Sequence, residues 1–407
     1  MPGETFVIVG ASLAGAKAAE TLRSEGFDGR LLLIGSEDER PYERPPLSKQ
    51  YLRGERESKP YVHAEGFYEE QGIELRTATT VDAIDPAAST VALAGGETLG
   101  FDRLLLTTGS EPRRLTLPGA DLDGVYLLRT IADCDVLRAR IEAGGRLVTI
   151  GAGWIGSEVS ASAREKGCEV TILERDEVPL ERVLGTELGG FYRDVHAEHG
   201  VDVMGGVTVE AVEGAASVTA VRLGDGRTIP ADFVVVGVGI EPRVGLARDA
   251  GLDVDNGVLT DEHLQTSAPA IYAAGDVANA HHPFYGQRIR VEHWDNALHQ
   301  GPAAARNMLG ERAPYDRIPY FFSDQYDVGM EYSGYAREWD DVVFRGDPGS
   351  REFLAFWVKG GHVIAGMNVN IWDVHDDIRA LIQGRVPVDR AQLADAGTPL
   401  SALTVRD

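Results

Sequence analysis

Residues Arg146–Arg175 read RLVTIGAGWIGSEVSASAREKGCEVTILER. An apolar run, Leu147–Ile150, meets Gly151, small residues lead to Gly156, and an amphipathic stretch follows. A second apolar run closes on Glu174. By periodicity this is strand, tight turn, helix, strand. Glycines at 151, 153 and 156 complete the pattern G-x-G-x-x-G, and Glu174 lies 23 positions beyond Gly151, the spacing of a dinucleotide-binding unit. The start of a helix carries unpaired N–H groups and a positive dipole end, so a pyrophosphate is well placed there. Glu174 is suited to accept hydrogen bonds from ribose hydroxyls and to repel a 2′-phosphate, which favours NADH over NADPH. The neighbouring Arg175 pulls the other way. The plainer alternative is close helix–sheet packing.

The same pattern opens the chain. Thr5–Glu37, TFVIVGASLAGAKAAETLRSEGFDGRLLLIGSE, carries Gly10-Ala-Ser12-Leu-Ala-Gly15, with serine in place of the middle glycine. Two further apolar strands end in small residues, Leu104–Gly109 and Phe233–Gly239, and suit a return to a nucleotide edge. A third signal is TSAPAIYAAGDVA (Thr266–Ala278), a strand at 270–274 ending in Gly275-Asp276, with a helix expected over 292–309. Between them, 38–59 is rich in proline and reads as an ordered excursion. It holds six cations against five anions, a relatively basic island. Beyond Ile318, alternating runs at 327–332, 341–344, 352–359 and 362–368 read as an antiparallel sheet, with short helices at 373–383 and 388–394. The expected fold is α/β: two nested Rossmann-like nucleotide-binding domains plus a C-terminal α+β domain with an antiparallel sheet. The first domain is split, 1–112 and 243–318. The second, 113–242, is inserted into it, and the third runs 319–407.

At 407 residues there is room for several cores, and 43% apolar with 25% charged residues is ordinary globular composition. A net charge of −25 argues against nucleic acid as a partner, since phosphates would be repelled. Two cysteines, Cys134 and Cys168, give neither a disulfide framework nor a metal-binding C-x-x-C. The expected compartment is the reducing cytoplasm. No apolar run approaches the length of about 18 residues that a spanning helix needs. Glu4 and the lack of a basic leader make the first apolar run a buried strand and not a signal peptide.

With PYERPPLSK (Pro41–Lys49), both glycine turns, AAGDVA, VEHWDNALHQG (Val291–Gly301) and FFSDQYD (Phe321–Asp327) in order, the chain resembles the FAD-dependent NADH:ferredoxin reductases of oxygenase and cytochrome P450 systems. Their fold is similar to that of glutathione reductase. The resemblance implies that Gly10, Ser12, Ala14 and Gly15 hold the FAD pyrophosphate, with Ser36 or Glu37 at a ribose. It implies Asp276, after Gly275, at the ribityl chain or a pyrophosphate-bound water. Arg44 and Lys49 are implied at the flavin, Arg129 near the adenine and Trp294 against the pyrimidine side. Val81, Thr108 and Gly109 are further implied cofactor positions. For NADH the implied set is Gly151, Gly153, Ile155, Gly156, Glu174, Arg182, Gly237 and Gly239. Glu158, two residues past Gly156, is expected to pair with Lys49 across the two domains or to contact the nicotinamide. Lys49, Glu158 and Trp294 are the residues expected to serve the reaction. Without the motif, a loop lysine is ordinarily a solvated charge, a helix glutamate an exposed one, and a tryptophan plain core.

The implied activity passes electrons from NADH through FAD to a small iron–sulfur ferredoxin, which supplies an oxygenase or P450. Two departures stand out: Ser12, and Phe322 where the family often has tryptophan. Dithiol reductases of similar fold carry a redox cysteine pair in the region where this chain has Leu47 and Lys49, so that reading fails. Rubredoxin or monodehydroascorbate reductase remains an alternative, as does an NADH-sensing flavoprotein with slow turnover.

Overall fold

The computed structural model describes residues 3–404. They form two compact units. One comprises residues up to 44, 59–111 and 240–319; the other comprises 45–58, 112–239 and the chain from 320 onward.

In the first unit a five-stranded parallel sheet runs in the order Ile271–Ala273, Arg103–Leu106, Thr5–Val9, Arg30–Ile34, Ile73–Arg76. Parallel sheets are covered on both faces, so their strands are apolar throughout and not alternating. Val7, Val9, Leu32, Ile34, Leu104 and Leu106 face one core. Phe6, Ile8, Leu31, Leu33 and Leu105 face the other. The second core is covered by the helices Leu13–Ser24 and Trp294–Met308. These cross so closely that a Cβ on Gly301 would lie 2.2 Å from the carbonyl oxygen of Ala14. The second helix begins two residues later than expected, because His293 is extended (φ −111°, ψ 151°) and stands outside it.

The second unit repeats the pattern. Its parallel sheet runs Asp202–Met204, Glu169–Leu173, Arg146–Ile150, Phe233–Val236, Val125–Tyr126. It also holds a five-stranded antiparallel sheet in the order Tyr320–Gln325, Val328–Gly334, His362–Val369, Glu352–Lys359, Asp341–Asp347. One face of that sheet, with Met330, Phe353, Ala355, Trp357 and Met367, packs against Leu184, Leu188, Tyr192 and Val195. The antiparallel sheet and the second nucleotide-type sheet therefore share a unit, where separate domains at 113–242 and 319–407 are expected from the sequence. Of the excursion expected at 38–59, residues 45–58 belong here, while 38–44 and 59 stay with the first unit. Tyr51 O–H donates to Asp135 at 2.9 Å, and Ser162 Oγ donates to the Ser48 carbonyl at 2.7 Å.

Because Gly301 faces backbone, which cannot yield as a side chain can, Gly301→Ala is expected to cost about 1–3 kcal/mol. Denaturant unfolding measures it; an unchanged midpoint would contradict this helix crossing.

Candidate functional sites

Each unit carries a strand–glycine–helix turn, and each turn is tight for the same reason. Gly10 (φ +120°) and Gly151 (φ +99°) hold backbone angles that side chains resist, and a Cβ there would strike the Thr107 or Gly237 carbonyl oxygen at 2.1 and 2.5 Å. Gly15 and Gly156, one turn on, would strike the carbonyl oxygens of Gly10 and Gly151 at 2.2 and 2.0 Å. These four positions are fixed by packing alone. Gly153 is different. Its φ is an ordinary −72°, and a Cβ would meet only the Gly237 oxygen at 3.8 Å. Nothing within the chain requires a glycine there, so the missing side chain leaves the start of helix Trp154–Glu165 open to a ligand. That fits a pyrophosphate.

Around this turn, Glu174 is held firmly. One carboxylate oxygen accepts from Ala152 N–H at 2.6 Å, and the other accepts from Arg175 N–H and Asp176 N–H at 2.7 and 3.1 Å. The carboxylate is thereby fixed at the strand end beside the turn, with one lone pair, on the oxygen that faces Ala152, remaining for a hydroxyl donor. Arg182 pairs with Asp176 at 2.7 Å and is well exposed. Ile155 and Val238 are exposed apolar side chains, at 45% and 37%, next to the glycines of the turn and of the returning strand. Gly237 backs onto Gly156, whose Cα lies 3.1 Å from the position of a Cβ, and Gly239 has φ +98°. Arg129 precedes the helix Ile131–Glu142, and its N–H donates to Asp133.

In the first unit, Ser12 occupies the helix N-cap position in extended conformation, but its hydroxyl makes no capping bond, and no acid lies in the first turn. The first-turn N–H groups are thus left for an anion. Ala14 is buried and lies 3.2 Å from where a Cβ of Gly275 (φ +79°) would stand. Gly275 N–H donates to Gln300 at 2.7 Å, and the Asp276 carboxylate accepts from Ser110 O–H at 2.6 Å. Ser36 and Glu37 follow the strand Arg30–Ile34. Glu37 accepts from the Tyr42 hydroxyl and pairs with Arg44 at 3.0 Å. Thr108 Oγ1 donates to the Arg243 carbonyl, next to Gly109 (φ +68°). Val81 turns its side chain into the core beside Leu93, leaving only its backbone for a ligand. Trp294 opens its helix half-buried. Beside it, burial pushes the His293 pKa down to about 4, outweighing Asp276 and Asp295.

The second unit also holds a buried polar cluster. Lys49 and Glu158, 5% and 3% exposed, form an ion pair of 2.7 Å within the one unit, not across two domains. Ser48 O–H donates to the same carboxylate oxygen at 2.5 Å, and Ser323 O–H donates to the other at 2.7 Å. The Phe322 ring lies 5.4 Å from the ammonium. Charges so deep in the protein survive only if paired and fully hydrogen-bonded, and here each carboxylate oxygen is engaged. Ser48 and Ser323 were not singled out from the sequence. Their only sign is that they lie inside PPLSK and FFSDQYD.

The basic island looks different in place. Arg40 donates to the His63 carbonyl, Arg44 pairs with Glu37, Arg53 with Glu55, and Lys59 with Glu39. Most of its charge is spent internally.

Residues 4–301 match the pyridine nucleotide-disulphide oxidoreductases, and residues 320–404 match the reductase C-terminal domain. The chain belongs to the pyridine nucleotide-disulphide oxidoreductase family, whose members use a flavin and a nicotinamide nucleotide. Within it, the chain is 41% identical to the ferredoxin reductase subunit of 5,5'-dehydrodivanillate O-demethylase from Sphingobium sp., over 99% of each chain. It is 37% identical to putidaredoxin reductase CamA of Pseudomonas putida, covering 98% of this chain and 96% of that one. It superposes on the reductase of the covalent putidaredoxin reductase–putidaredoxin complex with a TM-score of 0.95, covering 99% and 98% of the two chains at 37% identity. The disulphide in the family's name does not apply here: Cys134 and Cys168 are free and buried, and burial pushes the Cys134 thiol up to about 12.

The shift at His293 has a direct thermodynamic consequence. Between its folded pKa of about 4 and the ordinary 6.5, the unfolded chain holds a proton that the folded chain does not. Stability therefore falls as pH drops through that window. His293→Asn is expected to remove this proton from those taken up on unfolding there, as unfolding free energies measured against pH would show. An unaltered slope would mean that His293 is not held neutral.

Proposed function

We propose that the flavin is FAD, carried by the first unit on the turn Gly10–Gly15 with Gly275 and Asp276, and that the nicotinamide nucleotide is NADH, carried by the turn Gly151–Gly156 with Glu174. The enzyme is a ferredoxin reductase, passing electrons from NADH to an iron–sulfur ferredoxin that serves an oxygenase or a cytochrome P450. The observation that supports this best is the open start of helix Trp154–Glu165 beside a fixed carboxylate. Gly153 leaves room for a pyrophosphate, and Glu174 offers its remaining lone pair to a ribose hydroxyl while opposing a 2′-phosphate. When bound, a flavin accepts an electron pair and releases it singly, which suits a one-electron iron–sulfur acceptor.

The chain's own part is binding and orientation. Ile155 and Val238 offer apolar surface to the nicotinamide end, and Glu158, two residues into the same helix from Gly156, positions that ring with Lys49 as its counter-ion. Hydride transfer needs alignment more than proton chemistry, in keeping with a neutral His293. Free, buried thiols suit a reducing cytoplasm, where we place the enzyme; no helix among the described residues is long and apolar enough to cross a membrane.

The test is turnover with NADH against a panel of [2Fe–2S] ferredoxin, [3Fe–4S] ferredoxin and rubredoxin. The expected outcome is bound FAD, rapid bleaching by NADH and turnover that rises steeply with a ferredoxin. Glu158→Ala is expected to slow bleaching by about tenfold or more, the scale of a lost charged hydrogen bond. Slow bleaching without acceleration by any acceptor would favour an NADH-sensing role instead.

A further inference from the structure

Glu158 is held by more than its nearest neighbours. Ser323, whose hydroxyl donates to Glu158, lies 3.4 Å from Gln325 Nε2, and Gln325 Oε1 lies 3.0 Å from His196 Nε2. His196 Nδ1 lies 3.2 Å from the Tyr326 hydroxyl. Glu158, Ser323, Gln325 and His196 are all buried, His196 completely.

The chain has one direction. An ionised carboxylate can only accept, so Ser323 spends its proton on Glu158 and accepts from the Gln325 amide N–H. Gln325 then turns its oxygen to His196, which must carry its proton on Nε2. Nδ1 is left to accept from Tyr326 O–H. Burial keeps His196 neutral, with its pKa pushed down to about 4, as this pattern requires. Every donor along the line points toward Glu158, and aligned hydrogen bonds of this kind strengthen one another. The outer end is also fixed. Tyr326 sits at the hairpin turn with φ +55°, and its ring stacks on His199 at 3.7 Å and 6°. The next residue, Asp327, pairs with Arg351.

We propose that His196 is a positioning residue for the reaction: acting through Gln325 and Ser323, it keeps one Glu158 oxygen occupied so that the other stays on Lys49. This rests on the reading of Glu158 as the residue that positions the nicotinamide. A network present only for core packing would leave hydride delivery untouched when cut.

The experiment uses the full-length, FAD-loaded enzyme, with the limiting rate of flavin reduction and the NADH concentration for half-saturation measured separately. Ser323→Ala is expected to lower the limiting rate by about tenfold, and His196→Leu by about threefold, in line with lost charged and neutral hydrogen bonds. Half-saturation should change little. His196→Gln, whose amide can donate to Gln325, should return within about twofold of wild type, since it restores a single neutral bond. Nitrogen-15 histidine NMR of the wild-type holoenzyme, which needs no variant to fold, should show His196 protonated at Nε2 only. The Nδ1–H tautomer would overturn the proposal. So would wild-type rates in Ser323→Ala and His196→Leu while Glu158→Ala is slow, which leaves the reading of Glu158 standing. A wild-type rate in Glu158→Ala itself would overturn both.

Discussion

A lysine and a glutamate buried together are expensive to keep. Taking each charge out of water costs several kcal/mol, and their attraction repays this only when every remaining lone pair and proton is used. At Glu158 both carboxylate oxygens are engaged, one by Lys49 and Ser48 and the other by Ser323, and much of the second unit follows from it. The proline-rich excursion 45–58 is held to that unit because Ser48 and Lys49 are committed to a carboxylate on helix Trp154–Glu165. The edge strand Tyr320–Gln325 carries buried serine and glutamine where apolar residues would otherwise face inward. An apolar pair of similar size is often as stable or more so, so stability alone does not account for the charges.

The two glycine turns obey a second, independent constraint. Four glycines are dictated by carbonyl oxygens, Gly10 and Gly151 by those that follow a neighbouring strand and Gly15 and Gly156 by those of their own turns, and would be needed for this strand–helix geometry whatever it bound. Gly153 has no such internal reason. Serine stands at the equivalent place in the first unit, and there the helix start also lacks a capping bond. The two turns thus share a backbone but differ at the position that packing within the chain leaves free, glycine in one and serine in the other.

Much of this was legible in the sequence because its causes are local. Parallel strands buried on both faces are apolar throughout, so Phe6–Val9, Leu31–Ile34, Leu147–Ile150 and Phe233–Val236 stand out. The glycine spacings follow from the turn. What stayed hidden depends on contacts distant in the chain. Tyr320–Gln325 has no strand signature, since its buried face is Phe321, Ser323 and Gln325 and shows no apolar alternation. Ser48 and His196 look like ordinary polar residues until Glu158 and Gln325 are placed beside them. The grouping of 45–58 and the C-terminal sheet with the second nucleotide-type sheet rests on Tyr51–Asp135, Ser162–Ser48 and the packing of Trp357 against the Leu184–Val195 region, none of which has a local signature.

On the proposed function, the buried pair serves hydride delivery and not stability. The variant to compare with wild type is Lys49→Met/Glu158→Gln, in which both charges are gone and the amide accepts from one of Ser48 and Ser323 through its oxygen and donates to the other through its N–H. Unfolding is expected within about 1 kcal/mol of wild type, since a buried pair is replaceable at little cost, together with flavin reduction by NADH slowed about tenfold or more. A double variant that reduces its flavin at the wild-type rate would contradict it.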